Sequence, residues 1–414
     1  MFNGKTLTFG VIGNPISHSF SPQIHAALGD YEYHLYEKAP TAVEAFLSQG
    51  DFAGLNVTIP YKQAVIPFCD ELSPAAKSIG SVNTILRCPD GTLYADNTDV
   101  AGFAAMLDQS GIEVRGKKVL VLGDGGSSLT VRYLLGERGT GEVVTISRRG
   151  QNNYTNLSRH ADCQVIVNTT PVGMYPDTGS SPLSLESFPR LEGVLDLIYN
   201  PARTRLMLEA DLRGIPCIGG LVMLVGQARA ACELFLGRPV KHDRESAALR
   251  LVRSRTENII IVGMPGCGKS TIGRLLAEKL GQPFVDADAA LEEEAGVSIP
   301  QIFAQEGEDS FRARESAVLE RLGKQSGLVI STGGGCVTRE ANYFHLRGNG
   351  RVVFLERCIS RLARDGRPLS VGNLEEMYAR RLPLYRRFAD VAVENNAPPE
   401  QVADKILQVL EVQK

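Results

Sequence analysis

Two glycine-rich loops carry the chemistry most plainly. Gly263-Met264-Pro265-Gly266-Cys267-Gly268-Lys269-Ser270 follows the apolar run Ile259-Ile260-Ile261-Val262. A strand that delivers a Gly-x-x-x-x-Gly-Lys-Ser turn to a helix sets successive backbone N–H groups around a β-phosphate. Gly266, Cys267, Gly268, Lys269, Ser270 and Thr271 are therefore the expected ATP contacts, with Lys269 reaching the β- and γ-oxygens and the Ser270 hydroxyl ligating Mg2+. Gly123-Asp124-Gly125-Gly126-Ser127-Ser128 follows Lys118-Val119-Leu120-Val121-Leu122 and suits a dinucleotide, whose pyrophosphate Gly123, Gly125, Gly126 and Ser127 would cradle. The next strand runs into Ser147-Arg148-Arg149 with no acid to bind a ribose 2′-hydroxyl, so NADP is favoured over NAD. Asp124 is out of place beside a pyrophosphate unless its carboxylate points away. A chain holding both loops reads as two enzymes joined.

These loops need parallel strands to aim them. Short apolar runs at 10–13, 54–59, 119–122 and 143–146 alternate with helix-like stretches, the pattern of parallel α/β architecture. With 414 residues the chain exceeds one ordinary core. Between Leu234 and Glu257 its character changes: Gly237-Arg238-Pro239-Val240-Lys241-His242-Asp243 is a turn-rich break, and Glu245–Arg253 could form a short helix, so 241–256 is predicted to be a linker. Fifteen residues separate Arg149 from Val165, too few for the helix and strand of a full Rossmann half, which predicts a trimmed dinucleotide domain.

Composition narrows the partners. Hydrophobic content of 43%, charge of 22% and a net charge of −3 give no electrostatic pull toward nucleic acid or an anionic membrane. No segment reaches the ~20 apolar residues of a membrane span, so a cytoplasmic address is expected. The eight cysteines are scattered without a Cys-x-x-Cys pair and read as buried thiols; Cys267 differs because alkylating it would block the nucleotide.

Downstream of the triphosphate loop come Asp286-Ala287-Asp288, Phe311-Arg312-Ala313-Arg314-Glu315, Thr332-Gly333-Gly334-Gly335, Arg367-Pro368-Leu369 and Arg381-Leu382-Pro383-Leu384-Tyr385. This ordered set resembles shikimate kinase over residues 257–414. The resemblance implies a P-loop domain of the nucleoside-monophosphate-kinase-like group, in which Asp288 holds the acceptor hydroxyls as the base. It also implies that Asp286 anchors Mg2+ through water, Arg312 and Arg381 clamp the substrate carboxylate, and Gly333, Gly334 and Gly335 lie against the ring. Arg364 and Arg367 would belong to a lid over ATP. Planar guanidinium forks suit a carboxylate, and glycines let backbone approach a ring closely.

The N-terminal motifs are Asn14-Pro15-Ile16-Ser17-His18-Ser19-Phe20-Ser21-Pro22, Asn56-Val57-Thr58-Ile59-Pro60-Tyr61-Lys62, Ser81-Val82-Asn83-Thr84 and Asp96-Asn97-Thr98-Asp99. Asp196-Leu197-Ile198-Tyr199-Asn200-Pro201 and Gly219-Gly220-Leu221-Val222-Met223-Leu224-Val225-Gly226-Gln227 follow. Their order resembles shikimate dehydrogenase from about residue 8 to 237. That family reduces 3-dehydroshikimate to shikimate with NADPH, which implies Lys62 as the proton donor oriented by Asp99. Ser19, Ser21, Asn56, Thr58, Asn83, Tyr199 and Gln227 would form the substrate shell, and Gly219 and Met223 complete the NADP contacts. A pocket of short hydroxyls and amides is what a small polyol acid requires, since each hydroxyl left unpaired in a dry site costs about 1–3 kcal/mol. His18 and His25 have no fixed task in this chemistry and read as structural.

The expected organisation is a substrate-binding domain over 1–100 with a return of 219–240, an NADP domain over 101–218, the linker and a kinase domain over 257–414. Together they imply a bifunctional enzyme that makes shikimate and then phosphorylates it to shikimate 3-phosphate. Two alternatives are a catabolic, NAD-dependent quinate or shikimate dehydrogenase fused to a kinase, and a regulator that senses metabolites without catalysis. Arg148 and Arg149 speak against the first, and the presence of Lys62, Asp99, Lys269 and Asp288 against the second.

Overall fold

The computed structural model describes residues 8–16, 19–362 and 374–411. The chain forms two compact units: Met1–Val172, Ser181–Tyr199 and Glu209–Val252 make unit 1, and Gly173–Ser180, Asn200–Leu208 and Arg253–Lys414 make unit 2. Among the described residues no helix is long and apolar enough to cross a membrane.

Unit 1 holds two sheets. The first comprises β1 (Thr8–Gly13), β2 (Glu32–Glu37), β3 (Gly54–Val57), β4 (Glu71–Leu72), β5 (Thr84–Arg87) and β6 (Leu93–Asp96) in the order β2-β1-β3-β5-β6-β4. β1 runs parallel to β2 and β3, whereas β5 is antiparallel to β3 and β6. Phe9, Val11, Ile12, Leu55 and Val57 are buried in the adjacent inner strands β1 and β3, which is why those strands read as apolar runs.

The second sheet is parallel throughout: β7 (Lys118–Leu122), β8 (Glu142–Ile146), β9 (Val165–Asn168), β10 (Gly193–Asp196) and β11 (Cys217–Gly219), ordered β11-β10-β9-β7-β8. β9 pairs with β7, although it follows β8 in sequence, and the crossover between them holds only the 3-10 turn Leu157–His160. The sheet is therefore Rossmann-like with five described strands instead of six, shortened where the sequence is short.

Two glycines let the helices Asp99–Ser110 and Leu221–Leu236 cross closely. A Cβ on Gly102 would lie 2.5 Å from the Met223 carbonyl, and one on Gly226 would lie 3.2 Å from Gly102 Cα. The crossing sets Asp99, at the start of one helix, near the face of the other that bears Met223 and Gln227.

The expected linker holds one helix, His242–Thr256, longer than the short helix expected over Glu245–Arg253. Ala248 and Val252 are buried with Ile24, Leu28, Val225, Ala228 and Cys232, so one turn-spaced apolar pair anchors an otherwise charged helix in the core of unit 1. Arg229 supports it by pairing with Glu245 at 3.2 Å and Glu233 at 3.0 Å.

Unit 2 is a parallel sheet of β12 (Asn258–Val262), β13 (Phe284–Asp286), β14 (Val329–Ser331), β15 (Gly350–Glu356) and β16 (Val391–Glu394), ordered β13-β14-β12-β15-β16. Ile260, Ile261, Val329, Ile330, Val353 and Phe354 fill its core. The C-terminal ends of β12, β13 and β14 deliver the 263–268 loop, Asp286 and the 332–335 tract to one place, as open parallel sheets do for their ligands. In the helical stretch Ile299–Gly323, Gly307 adopts φ 82° and breaks the path, and the second segment carries Arg312.

Candidate active sites

In unit 1, Ser19, Ser21, Asn56, Thr58, Lys62, Asn83, Asp99, Tyr199 and Gln227 line one cleft of about 430 Å³, together with Ser127 and Met223 from the expected cofactor set. β3 and the turn after it bring Asn56, Thr58 and Lys62. Asn83 leads into β5, and Asp99 opens a helix whose N-terminal dipole favours a carboxylate. Lys62 Nζ donates to Asp99 Oδ2 at 2.6 Å, and their side chains keep 31% and 16% exposure, so the ammonium can still be reached from the cleft. Burial raises the Tyr199 phenol above its ordinary pKa, which keeps it a neutral donor. Pro15, Ile16, Phe20, Val57, Leu197, Gly220 and Leu224 complete the lining and were given no role from sequence. They sit inside the motifs that carry the polar residues, and the carbon face of a ring is the signal that calls for them.

The cofactor residues are disposed as a dinucleotide needs. Gly123 has φ 103°, and a Cβ there would press 2.8 Å from Thr169 Oγ1, whereas the space above Gly125 and Gly126 is open at the start of the helix Gly126–Glu137. Gly219 ends β11, Ser147 is buried, and Arg148 and Arg149 are exposed at the end of β8. Asp124 is exposed as well. Burial raises the pKa of Tyr154. The open glycine turn and the basic pair fit an NADP molecule.

In unit 2 a cleft of about 460 Å³ gathers Lys269, Ser270, Asp286, Asp288, Arg312, Gly333, Gly334, Gly335 and Arg381. The loop is built on positive φ at Gly263, Gly266 and Gly268. Lys269 is buried and donates to the carbonyls of Gly263 and Met264, both at 3.1 Å. Ser270 Oγ donates to Asp286 Oδ2 at 2.6 Å and lies 3.2 Å from Ser331 Oγ, while Asp286 Oδ1 accepts from the Asp288 backbone at 3.1 Å. Two hard oxygens held this close beside a phosphate loop fit Mg2+, with Ser270 and Asp286 as the residues that would hold it.

Asp288 is pushed up to about 6 by burial first, then by the nearby Glu315 and Asp286 charges. Arg312 Nη1 donates to Glu315 at 2.8 Å and Nη2 to Glu308 at 3.3 Å; Arg381 Nη1 donates to the Gly334 carbonyl at 3.2 Å. Arg312, Glu315 and Arg381 are all buried. The glycine tract has a further reason beside the one expected. A Cβ on Gly333 would lie 2.7 Å from both Asp288 Oδ1 and Glu315 Oε1, one on Gly334 would lie 2.6 Å from Pro265, and one on Gly335 would overlap the Arg312 guanidinium. Glycine is required by the site's own side chains before any ring arrives.

Cys267 corrects an expectation. Its side chain is fully buried in the core, its thiol faces Gly263, and its carbonyl accepts from Asn395 at 2.6 Å, so alkylation is blocked by packing. Thr271 is exposed. Arg364 and Arg367 lie outside the described residues. Glu315, Glu292, Phe303 and Tyr385 were given no role from sequence. The first three line the cleft, and Tyr385 donates to the Gly334 carbonyl at 2.5 Å.

Comparison with known proteins agrees with both clefts. Residues 11–85 match the family model of the shikimate dehydrogenase substrate binding domain, and residues 265–411 match that of shikimate kinase. A shikimate dehydrogenase (NADP(+)) of Crocosphaera subtropica is 36% identical over 283 residues, covering 60% of this chain and 98% of the relative. A chorismate mutase/shikimate 5-dehydrogenase fusion protein from Clostridium acetobutylicum has a TM-score of 0.57 at 31% identity, covering 60% of this chain and 97% of its own. Shikimate 5-dehydrogenase from Thermus thermophilus, solved in complex with NADP(H) and shikimate, has a TM-score of 0.55 at 33% identity, covering 59% and 99%. The chain therefore belongs to the shikimate dehydrogenase family and carries a shikimate kinase domain in its C-terminal part, two enzymes of the shikimate pathway in one polypeptide.

Proposed function

We propose that unit 1 reduces 3-dehydroshikimate to shikimate with NADPH and that unit 2 phosphorylates shikimate to shikimate 3-phosphate with ATP and Mg2+. The observation that carries this reading is the pairing, in two separate clefts, of a proton-handling group with ligands for one small polyol acid: Lys62 on Asp99 in the first, Asp288 with Arg312 and Arg381 in the second. Residues 1–100 and 219–240 supply the substrate shell, 101–218 the cofactor contacts and 257–414 the kinase.

NADPH, when bound, would supply the hydride for the carbonyl carbon. As the C=O bond becomes C–OH, the Lys62 ammonium gives its proton to the oxygen, and Asp99 keeps the remaining amine in place for the next proton. Hydroxyls and amides of Ser19, Ser21, Thr58, Asn83 and Gln227 pair the carboxylate and ring hydroxyls. Gly123, Gly125, Gly126, Ser127, Gly219 and Met223 hold the cofactor, and Ser147, Arg148 and Arg149 select its 2′-phosphate.

In unit 2 Asp288 takes the proton of the acceptor hydroxyl as its oxygen bonds to the γ-phosphorus and the bond to the leaving ADP oxygen breaks. Arg312 and Arg381 hold the substrate carboxylate, and Gly266 to Thr271 hold the triphosphate. Ser270 and Asp286 would hold Mg2+, which would neutralise phosphate charge. Arg364 and Arg367 are proposed to close over ATP. Eight cysteines without a Cys-x-x-Cys pair suit a reducing cytoplasm.

The test is a paired assay on the purified chain: NADP+ reduction with shikimate, and ADP release with shikimate and Mg-ATP. Lys62→Ala should abolish only the first and Asp288→Asn only the second. Phosphorylation without hydride transfer to NADP+ or NAD+ would reduce unit 1 to a sensor.

A further inference from the structure

Behind the unit 1 cleft a hydrogen-bond chain ties two of its lining residues, Asn56 and Asn83, to Tyr33, Thr84 and Thr98, which the substrate and cofactor assignments leave unused. Tyr33, on the edge strand β2, donates its hydroxyl to Asn56 Oδ1 at 2.7 Å. Asn56 Nδ2 lies 3.2 Å from Thr84 Oγ1 and 3.4 Å from the Asn83 carbonyl. Thr84 Oγ1 in turn donates to Asn83 Oδ1 at 3.1 Å and lies 3.1 Å from Thr98 Oγ1. Asn83 Oδ1 also accepts from the Thr98 backbone at 2.7 Å and from its hydroxyl at 3.1 Å. Thr98 is the residue before the helix that begins with Asp99. A continuous path thus joins an edge strand, two inner strands and the backbone that presents the Lys62 partner.

Every member beyond Tyr33 is buried: Asn56, Asn83, Thr84 and Thr98 are at most 7% exposed. In such surroundings a broken link leaves an unsatisfied group whose cost passes to its neighbours. The Asn56 side chain spends its oxygen on Tyr33 and its amide on Asn83 and Thr84, so it serves more as a strut than as a ligand. Asn83 spends its oxygen on three donors, which leaves its amide hydrogens as the part of this pair that can meet substrate. Tyr33 is itself fixed, because its ring stacks on His25 with centroids 4.1 Å apart at 11°. Burial holds His25 neutral, its pKa lowered to about 3, so the stack carries no charge in the working range.

We propose that Tyr33 and Thr84 are positioning residues of the dehydrogenase, which act through Asn56, Asn83 and Thr98 to set the shikimate-facing amide and the place where Asp99 meets Lys62. This rests on the dehydrogenase reading of unit 1.

The test uses the full chain. Tyr33→Phe keeps the ring and its stack and removes only the hydroxyl; Thr84→Val keeps the shape and removes the hub. Each should raise KM for shikimate in the NADP+ reaction about five- to tenfold, while KM for NADP+ and the kinase rate stay unchanged. The double variant should lose less than the product of the two singles, because both cuts fall on one chain. Thr84→Ser, which keeps a hydroxyl, should retain the parental KM. A KM for shikimate unchanged in both single variants, strictly multiplicative losses, or an equal rise in KM for NADP+ would overturn the inference while the dehydrogenase reading stands. A parent chain that fails to oxidise shikimate would sink that reading and this inference with it.

Discussion

Lys62 Nζ and Asp99 Oδ2 lie 2.6 Å apart, although 37 positions separate them, and both line the cleft of unit 1. A carboxylate at a helix start holds an ammonium at the end of a strand-turn segment, and the pair handles the proton that must follow a hydride. Lys62→Ala should lower the dehydrogenase kcat by roughly 10²–10⁴-fold and leave the kinase untouched. Asp99→Asn should cost less on its own. Adding it to Lys62→Ala should cost almost nothing more, because the two act as one unit. Stopped-flow measurement of NADP+ reduction in the three variants checks this, and additive losses would show that the residues work separately.

Cofactor selection is expected to reside in two exposed side chains. Arg148 and Arg149 leave the end of β8 without an acid beside them, and a 2′-phosphate would form charge-assisted bonds with guanidinium groups there. Replacing both with alanine should raise KM for NADPH about 10- to 100-fold and leave KM for NADH nearly constant. Steady-state kinetics with the two cofactors decides it. A parallel rise in both would move the selection to another part of the loop.

The chemistry of these sites was legible in the sequence because local motifs carry it. Lys269, Ser270, Asp286 and Asp288 each occupy a fixed place after a strand, and Lys62 and Asp99 close two recognisable strings; all six line their clefts. Glu315 was not legible as a site residue, since its role comes from burial against Arg312 and Asp288, which spacing alone does not express. Nor was the further reason for Gly333, Gly334 and Gly335, because the side chains that exclude a Cβ come from distant parts of the chain. The fold class and the shortened dinucleotide sheet followed from strand periodicity and from the short span after Arg149. The helix expected over Glu245–Arg253 runs from His242 to Thr256, and only burial reveals that Ala248 and Val252 share an inward face.

That helix carries a consequence for stability. Ala248 is fully buried in the cluster that also holds the helix bearing Gln227. Ala248→Asp would place an unpaired carboxylate there, costing roughly 3 kcal/mol or more. The full-length variant should show a lower melting transition for unit 1 and reduced dehydrogenase activity at 37 °C, with kinase activity retained. An unchanged melting profile, followed by calorimetry, would mean that the helix merely tethers unit 2.

Asp288 trades stability for activity. Its carboxyl ionises near 6 rather than 3.8, chiefly because burial disfavours the charge and secondly because Glu315 is close. The folded state therefore binds this proton more tightly than the unfolded chain. Stability from the group is complete below pH 3.8 and is lost as pH rises through 6, by up to roughly 3 kcal/mol. Asp288→Asn should accordingly raise the melting temperature of unit 2 at pH 7.5 and give no such gain at pH 4, while phosphorylation is lost. In the parent chain kcat/KM for shikimate in the kinase reaction should fall below about pH 6, as the base becomes protonated in the free enzyme. Glu315→Gln removes a neighbouring negative charge and should shift that limb to lower pH. A limb that stays in place would assign the titration to a different group, and a variant no more stable than its parent at pH 7.5 would show that Lys269 already offsets the cost of the buried charge.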